Sequence, residues 1–229
     1  TGRPGGRTGA AVIKGFILFV KLMITQRYLI FSMVKRDLET QYVGSLLGFI
    51  WPIVHPMVMV FIYWVVFSVG FKVQPASGVP FVVWLTAGMA AWQVFAEAVS
   101  GSAGSITANA HLIKKTVFPS QVLPVVKILL AVATHGIFLL VLVGLLFFQK
   151  IPPNAYWRQF LYYLFCSCAL ALGIGWAVSA LNVFVKDVAQ IVAVVLQLGF
   201  WATPIFWDIS MMPAEIQRIV LLNPMFYVV

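Results

Sequence analysis

Between Ile128 and Phe148 the chain runs 21 residues without Asp, Glu, Lys or Arg, and fifteen of them are Leu, Ile, Phe or Val. A run that long and apolar is a spanning helix. About 20 residues cross the hydrocarbon core of a bilayer, and a helix pairs every backbone polar group within itself. The rest of the chain agrees. Charged residues make up 9% of its 229 positions, against roughly 25% in soluble domains, too few to hold a surface in water. The net charge of +9 then reads as basic cytoplasmic loops rather than a nucleic-acid interface. The many Phe, Trp and Tyr fit interfacial belts and a pathway lining.

Four further spans flank that run, at about 46–70, 81–105, 160–184 and 189–207. The first carries Pro52 and Pro56, which membrane helices tolerate where neighbours re-satisfy the freed carbonyls. His55 between them reads as a polar cap for those carbonyls, with proton handling as the alternative. The span at 81–105 is weakly apolar, with seven Leu, Ile, Phe or Val between Phe81 and Ser100. A mid-membrane acid costs about 2.5–3.5 kcal/mol, nearly cancelling its insertion energy of about 2–4 kcal/mol. Glu97 and Gln93 are therefore expected to face protein or a water-filled path, with functional and structural roles for Glu97 both open. Ile128–Phe148 is expected to face lipid, with His135 a satisfied interior residue. The span at 160–184 carries Ala171, Gly175 and Ser179 at steps of four, a stripe that permits close helix packing. Residues 211–228 are too short and too charged to span.

The N-terminal part is different. Residues 1–23 form a basic, apolar tail whose opening TGRPGGRTGA is expected to lack structure. Lys14 and Lys21 interrupt the apolar stretch that follows, so it is no signal peptide. The start at Thr1 fits a truncated or processed terminus. Residues 10–34 contain no apolar window free of Lys or Arg, and they are expected on the membrane surface. An interfacial helix over 24–43 follows, with Tyr28, Phe31, Val34, Leu38 and Tyr42 on its apolar face and Lys35, Arg36, Glu39 and Thr40 opposite. Gly44 and Gly48 are expected at the bend into the first span.

Gly101–Lys127 is the longest internal polar segment. Ser105 or Thr107 can cap a short helix there, and Pro119 and Pro124 prevent a long one. A helix this short needs outside support. With the N-terminus inside, the cytoplasmic segments hold 11 of the 15 Lys and Arg and the outer ones four, which sets the orientation. Cys166 and Cys168, two apart, point to different helix faces and read as buried small residues. The six acids and three histidines show no metal-ligand spacing, and no G-x-x-x-x-G-K-[ST] loop is present. A membrane enzyme would have to use Glu97 with His135. What remains is a bundle with basic side chains and short helices on one surface, fitting a permease driven by a partner.

KRDLETQYVGSLLGFIWPIVHP (Lys35 to Pro56) resembles the opening of polysaccharide-export permeases of the ABC-2 type, R-D-x-x-x-x-Y-x-x-S-x-L-G-x-x-W-x-x-x-x-P. The matching positions are Arg36, Asp37, Tyr42, Ser45, Leu47, Gly48, Trp51 and Pro56. NAHLIKKTVFP is similar to the family's N-x-x-L-I-x-K-x-x-F-P through Asn109, Leu112, Ile113, Lys115, Phe118 and Pro119. NVFVKDV matches a further turn through Asn182, Lys186 and Asp187, and Leu222–Pro224 the stretch before a last span.

The resemblance covers about 25–229. It implies an all-α transmembrane domain over 24–229, a six-helix bundle of which five spans and outer re-entrant helices at 211–228 are present. The sixth span is expected to be missing from this sequence. It implies a homodimer in the bacterial inner membrane joined to a P-loop ATPase, exporting lipid-linked polysaccharide. The alternatives are an ABC-2 exporter of a drug or small lipid and, behind it, a membrane enzyme acting on lipid-linked sugars. ATP and Mg belong to the partner, and no cofactor to this chain. Asn109, His111, Leu112, Ile113, Lys114 and Lys115 are the expected ATPase-coupling residues. Arg27, Lys35, Arg36, Asp37 and Tyr42 are expected at a cytoplasmic gate near the lipid pyrophosphate, and Trp51, His55, Tyr63 and Glu97 along the pathway.

Overall fold

A computed structural model describes residues 5–42, 50–73, 78–115, 118–152 and 155–229. Among them every regular element is helical. The helices are α1 (Gly5–Thr25), α2 (Arg27–Tyr42), α3 (Trp51–Trp64, continued by a π-helical turn to Gly70), α4 (Phe81–Ala103), α5 (Ser105–Ala108), α6 (Ala110–Lys115), α7 (Val122–Phe148), α8 (Gln159–Phe184), α9 (Val188–Ala202) and α10 (Ala214–Val220). The bend expected at Gly44 and Gly48, with Ser45 and Leu47, lies outside the described residues.

Four of these are long and apolar enough to cross a membrane: α3 with its extension, α4, α7 and α8. The chain is a multi-pass membrane protein. The expected fifth span is shorter than its sequence range. α9 stops at Ala202 after 15 residues, about 22 Å of helix against a core of about 30 Å. Beyond it Thr203 takes an extended backbone ahead of Pro204, as the residue before a proline prefers.

α4 is the central helix. It packs most extensively against α7 and α8, and more lightly against α3 and α9. In lipid there is no hydrophobic drive between helices, so small residues decide which surfaces approach. The α8 stripe does so here: Ala171, Gly175 and Ser179 are all buried. A Cβ on Gly175 would lie 2.9 Å from Ser102 Oγ of α4. Pro124 sits in the first turn of α7, where its missing N–H costs nothing, so α7 starts six residues before the expected span. Most of the buried residues of α7 lie in its first half, although Leu129 there is exposed, while Leu140, Phe147 and Phe148 are exposed in its second. Only the second half of that run faces outward as expected.

The N-terminal region departs furthest from expectation. The tail is helical from Gly5, and α1 meets α2 at a 64° bend at Gln26 instead of forming one surface helix. Each helix follows its own partner. Phe19 of α1 packs edge-on against Trp176 of α8 at 4.8 Å, while Ile30, Met33 and Val34 of α2 bury against Val122, Leu123 and Val126 of α7. Tyr28 and Phe31 are consequently 77% and 73% exposed. The buried face runs through Ile30, Met33, Val34 and Asp37, with Leu38 packed beside it. Of the expected apolar face, Val34 and Leu38 lie there and Tyr28 and Phe31 do not.

Candidate functional site: a charged helix junction and a membrane cavity

The first site is a junction at the α6 end of the bundle. Asp37 falls on the buried face of α2, with its side chain 13% exposed. Lys127 of α7 donates to Asp37 Oδ2 at 2.7 Å, and Arg36 donates to Oδ1 through Nε at 3.2 Å and Nη2 at 2.9 Å. Burial pushes the Asp37 carboxyl up, but the hydrogen bonds and charges of Lys127 and Arg36 outweigh it and hold it below the usual range. Arg36 Nη2 also donates to Asn109 Oδ1 at 3.4 Å, and Asn109 Nδ2 donates to the Ser105 carbonyl at 2.9 Å. Two sequence motifs 73 positions apart thus meet in one network. Lys127, counted from sequence only as a basic residue, completes it.

The other gate residues spread apart. Positions 27 and 36 lie about 180° apart around a helix at 100° per residue. Arg27 stacks on Tyr28 at 5.0 Å, and Lys35 pairs with Glu39 at 3.8 Å on the exposed side. The side chain of Tyr42 lies outside the described residues.

The polar segment after α4 is broken at Asn109 into α5 and α6. Neither Ser105 nor Thr107 caps it. Gly104 ahead of it is already helical, Thr107 bonds back to the Gly104 carbonyl, and Ser105 Oγ is buried without a partner. Support comes instead from packing and from Asn182. Leu112 and Ile113 pack on the α2–α7 cluster. Buried Asn182 donates to Thr107 Oγ1 at 3.5 Å and accepts from the Ala189 amide at 3.1 Å. His111, Lys114 and Lys115 are left facing outward.

The second site is a cavity of about 570 Å³ bounded by α3, α4, α7 and α9. His55, Tyr63 and Glu97 all line it, with Gln93, Trp92 and Gln197. Trp51, the fourth expected pathway residue, is exposed and lies outside the lining. His55 makes no hydrogen bond to the carbonyls freed by Pro56; it opens into the cavity instead. Thr134 of α7 lies 3.0 and 3.1 Å from the Glu97 oxygens. An aromatic cluster adjoins the lining at Tyr63 and Phe200. Phe206, fully buried, lies 4.8 Å from Tyr63 and 4.9 Å from Phe200.

His135 is not the satisfied interior residue expected from sequence. It is buried, stacks on Phe160 at 6.0 Å, and neither ring nitrogen has a hydrogen-bond partner. No hydrogen bond links it to Glu97, whose partner is Thr134. Among the described residues no group of three His, Cys, Asp or Glu could hold a metal ion.

A sequence model described as ABC-2 type transporter matches residues 28–229. The O-antigen export system permease protein RfbA of Klebsiella pneumoniae is 30% identical over 192 residues, 83% of this chain and 73% of that protein. The RfbA permease of Myxococcus xanthus is 30% identical over 213 residues, 91% and 80% of the two chains. The capsule polysaccharide export inner-membrane protein CtrC of Neisseria meningitidis serogroup A is 20% identical over 214 residues, 90% and 78%. The match takes in the α2 face, the α5–α6 segment, the cavity and α10 together, and the chain belongs to the ABC-2 type transporter family.

Proposed function

We propose that the protein is the permease subunit of an ATP-driven exporter that moves a lipid-linked polysaccharide across the bacterial inner membrane. The observation that carries this reading is the build of α6. Leu112 and Ile113 pack inward, His111, Lys114 and Lys115 face outward, and Asn109 at its start holds Arg36 of α2. An element docked on an ATPase there moves the surface helix with it. The names of three relatives, two for O-antigen and one for capsule polysaccharide, support the cargo class. In this reading the ATPase is a separate P-loop subunit that holds ATP and Mg.

The 11-to-4 excess of Lys and Arg supports a cytoplasmic N-terminus and puts α6 on the ATPase side. A second copy covers the exposed face of α3, and the path runs between the protomers. Arg27 and Lys35, exposed on α2, meet the lipid pyrophosphate, while Arg36 and Asp37 serve as the tether. Co-purification with the ATPase tests the docking. Lys114→Glu with Lys115→Glu is expected to lower recovery of the ATPase at least fivefold. Unchanged recovery and ATP hydrolysis would show that α6 is not the docking element. ATP-dependent movement of lipid-linked glycan by the reconstituted complex tests the export reading as a whole.

A further inference from the structure

The chain carries 15 Lys and Arg against six acids, yet among the described residues no Lys or Arg lines the cavity between α3, α4, α7 and α9. Among the described lining residues the one carboxyl is that of Glu97. Gln93, Glu97 and Ser100 lie at steps of four and three on one side of α4, with Gln197 of α9 and His55 of α3 also in the wall. Between these polar groups stand the rings of Tyr63, Trp92 and Phe200. The volume, about 570 Å³, falls within the roughly 300–1,000 Å³ of small-molecule sites.

This combination suits a sugar ring. Aromatic faces cover its C–H faces, while carboxylate and amide oxygens accept from its hydroxyls. Thr134 fixes the Glu97 side chain from α7 at 3.0 Å. A carboxylate has about four acceptor positions, so a single hydroxyl leaves most of them for a ligand.

The missing cations give the site a preference. A uronate or sugar phosphate brought here meets a carboxyl with no Lys or Arg among the described lining residues to neutralise it. Two acids sharing such a site either repel or one takes up a proton, and both cost free energy. Resting on the reading of the chain as a polysaccharide exporter, we propose that this cavity binds single sugar units of the passing glycan. Glu97 makes it selective for neutral or amino sugars over acidic ones.

The test uses the permease–ATPase complex and two probes on one polyprenyl pyrophosphate carrier: a neutral mannose polymer, and the same polymer bearing glucuronic acid. Binding to the solubilised complex and ATP-driven movement in vesicles are both read as the neutral-to-acidic ratio. For the wild-type complex the ratio is expected to be at least tenfold. Glu97→Gln is expected to bring it within about threefold of unity, and Gln93→Glu, which adds a carboxyl to the same wall, to raise it further. Glu215→Gln, on α10 away from the lining, is expected to leave it in place.

Equal handling of both probes by the wild type overturns the inference while leaving the export reading intact. So does a binding ratio that neither cavity variant moves. Failure of the wild type to move either probe overturns the export reading itself.

Discussion

α3 and α4 both qualify as membrane spans, yet 61% of the spanning window of α4 is buried inside the protein and 6% of that of α3. The less apolar sequence is the one inside. α4 carries Thr86, Gly88, Gln93, Glu97 and Ser102, and α3 is almost wholly Val, Ile, Met and aromatic. In water the order would be reversed. In lipid an apolar helix gains nothing by leaving the tails, whereas polar groups gain partners and small ones gain close contact inside a bundle. Burial in this protein is thus set by polar and small residues, and the exposed face of α3 is matched to lipid or to another protein surface.

The sharpest way to break that contrast is to remove the close approach that seats α4. Gly175→Leu would drive a side chain into Ser102 and is expected to destabilise the bundle by about 3 kcal/mol. Its neighbour Gly173, with nothing within 4 Å of a Cβ, should accept Leu with little change. Thermal unfolding in detergent distinguishes the two. Equal losses would mean that the stripe does not seat α4.

A smaller effect is expected at the junction, where partnered charges rather than small residues hold the helices. Asp37→Asn leaves Lys127 without its partner and should cost about 2 kcal/mol. A double-mutant cycle with Lys127→Met then gives a coupling energy of about 1 kcal/mol or more. The carboxyl of Asp37 is held below its unfolded value of about 3.9. Its contribution is therefore complete above that pH and is lost as pH falls through the lower folded value. The Asp37→Asn penalty should be constant from pH 8 to 5 and shrink below about 4. A penalty that grows on acidification would contradict the tether.

The smallest change is expected on α3. Phe61 is 61% exposed, so Phe61→Ser should alter the unfolding of the isolated subunit by about 0.5 kcal/mol or less. It should nevertheless weaken self-association, read by crosslinking yield in vesicles. An unaltered yield would assign that face to lipid.

Much of the site was legible in the chain. Glu97 could be assigned to protein or a water-filled path because an acid in a weakly apolar span is too costly against lipid. The α8 stripe was legible because a four-residue spacing puts small residues on one helix side. The face of α2 was legible only in part, at Val34 and Leu38. Its apolar residues surround the helix, and Asp37 on the buried side was offset by a lysine 90 positions away, which no local pattern records. Of the two readings of His55, the carbonyl cap failed for a related reason. The proline-freed carbonyls were local, whereas the cavity that takes its ring is walled by helices far along the chain.

The sequence by itself determined the solvent, the number and order of apolar segments, the basic asymmetry and the motifs that mark the family. These depend on composition and on spacing along one helix. Only the tertiary structure decided that Arg36, Asp37, Asn109 and Lys127 form one junction, and that His55, Tyr63 and Glu97 share one cavity. The physical reason is that helix–helix packing in a membrane turns on a few small and polar contacts between distant segments, and the position of a segment in the chain does not fix which face it turns to its neighbours.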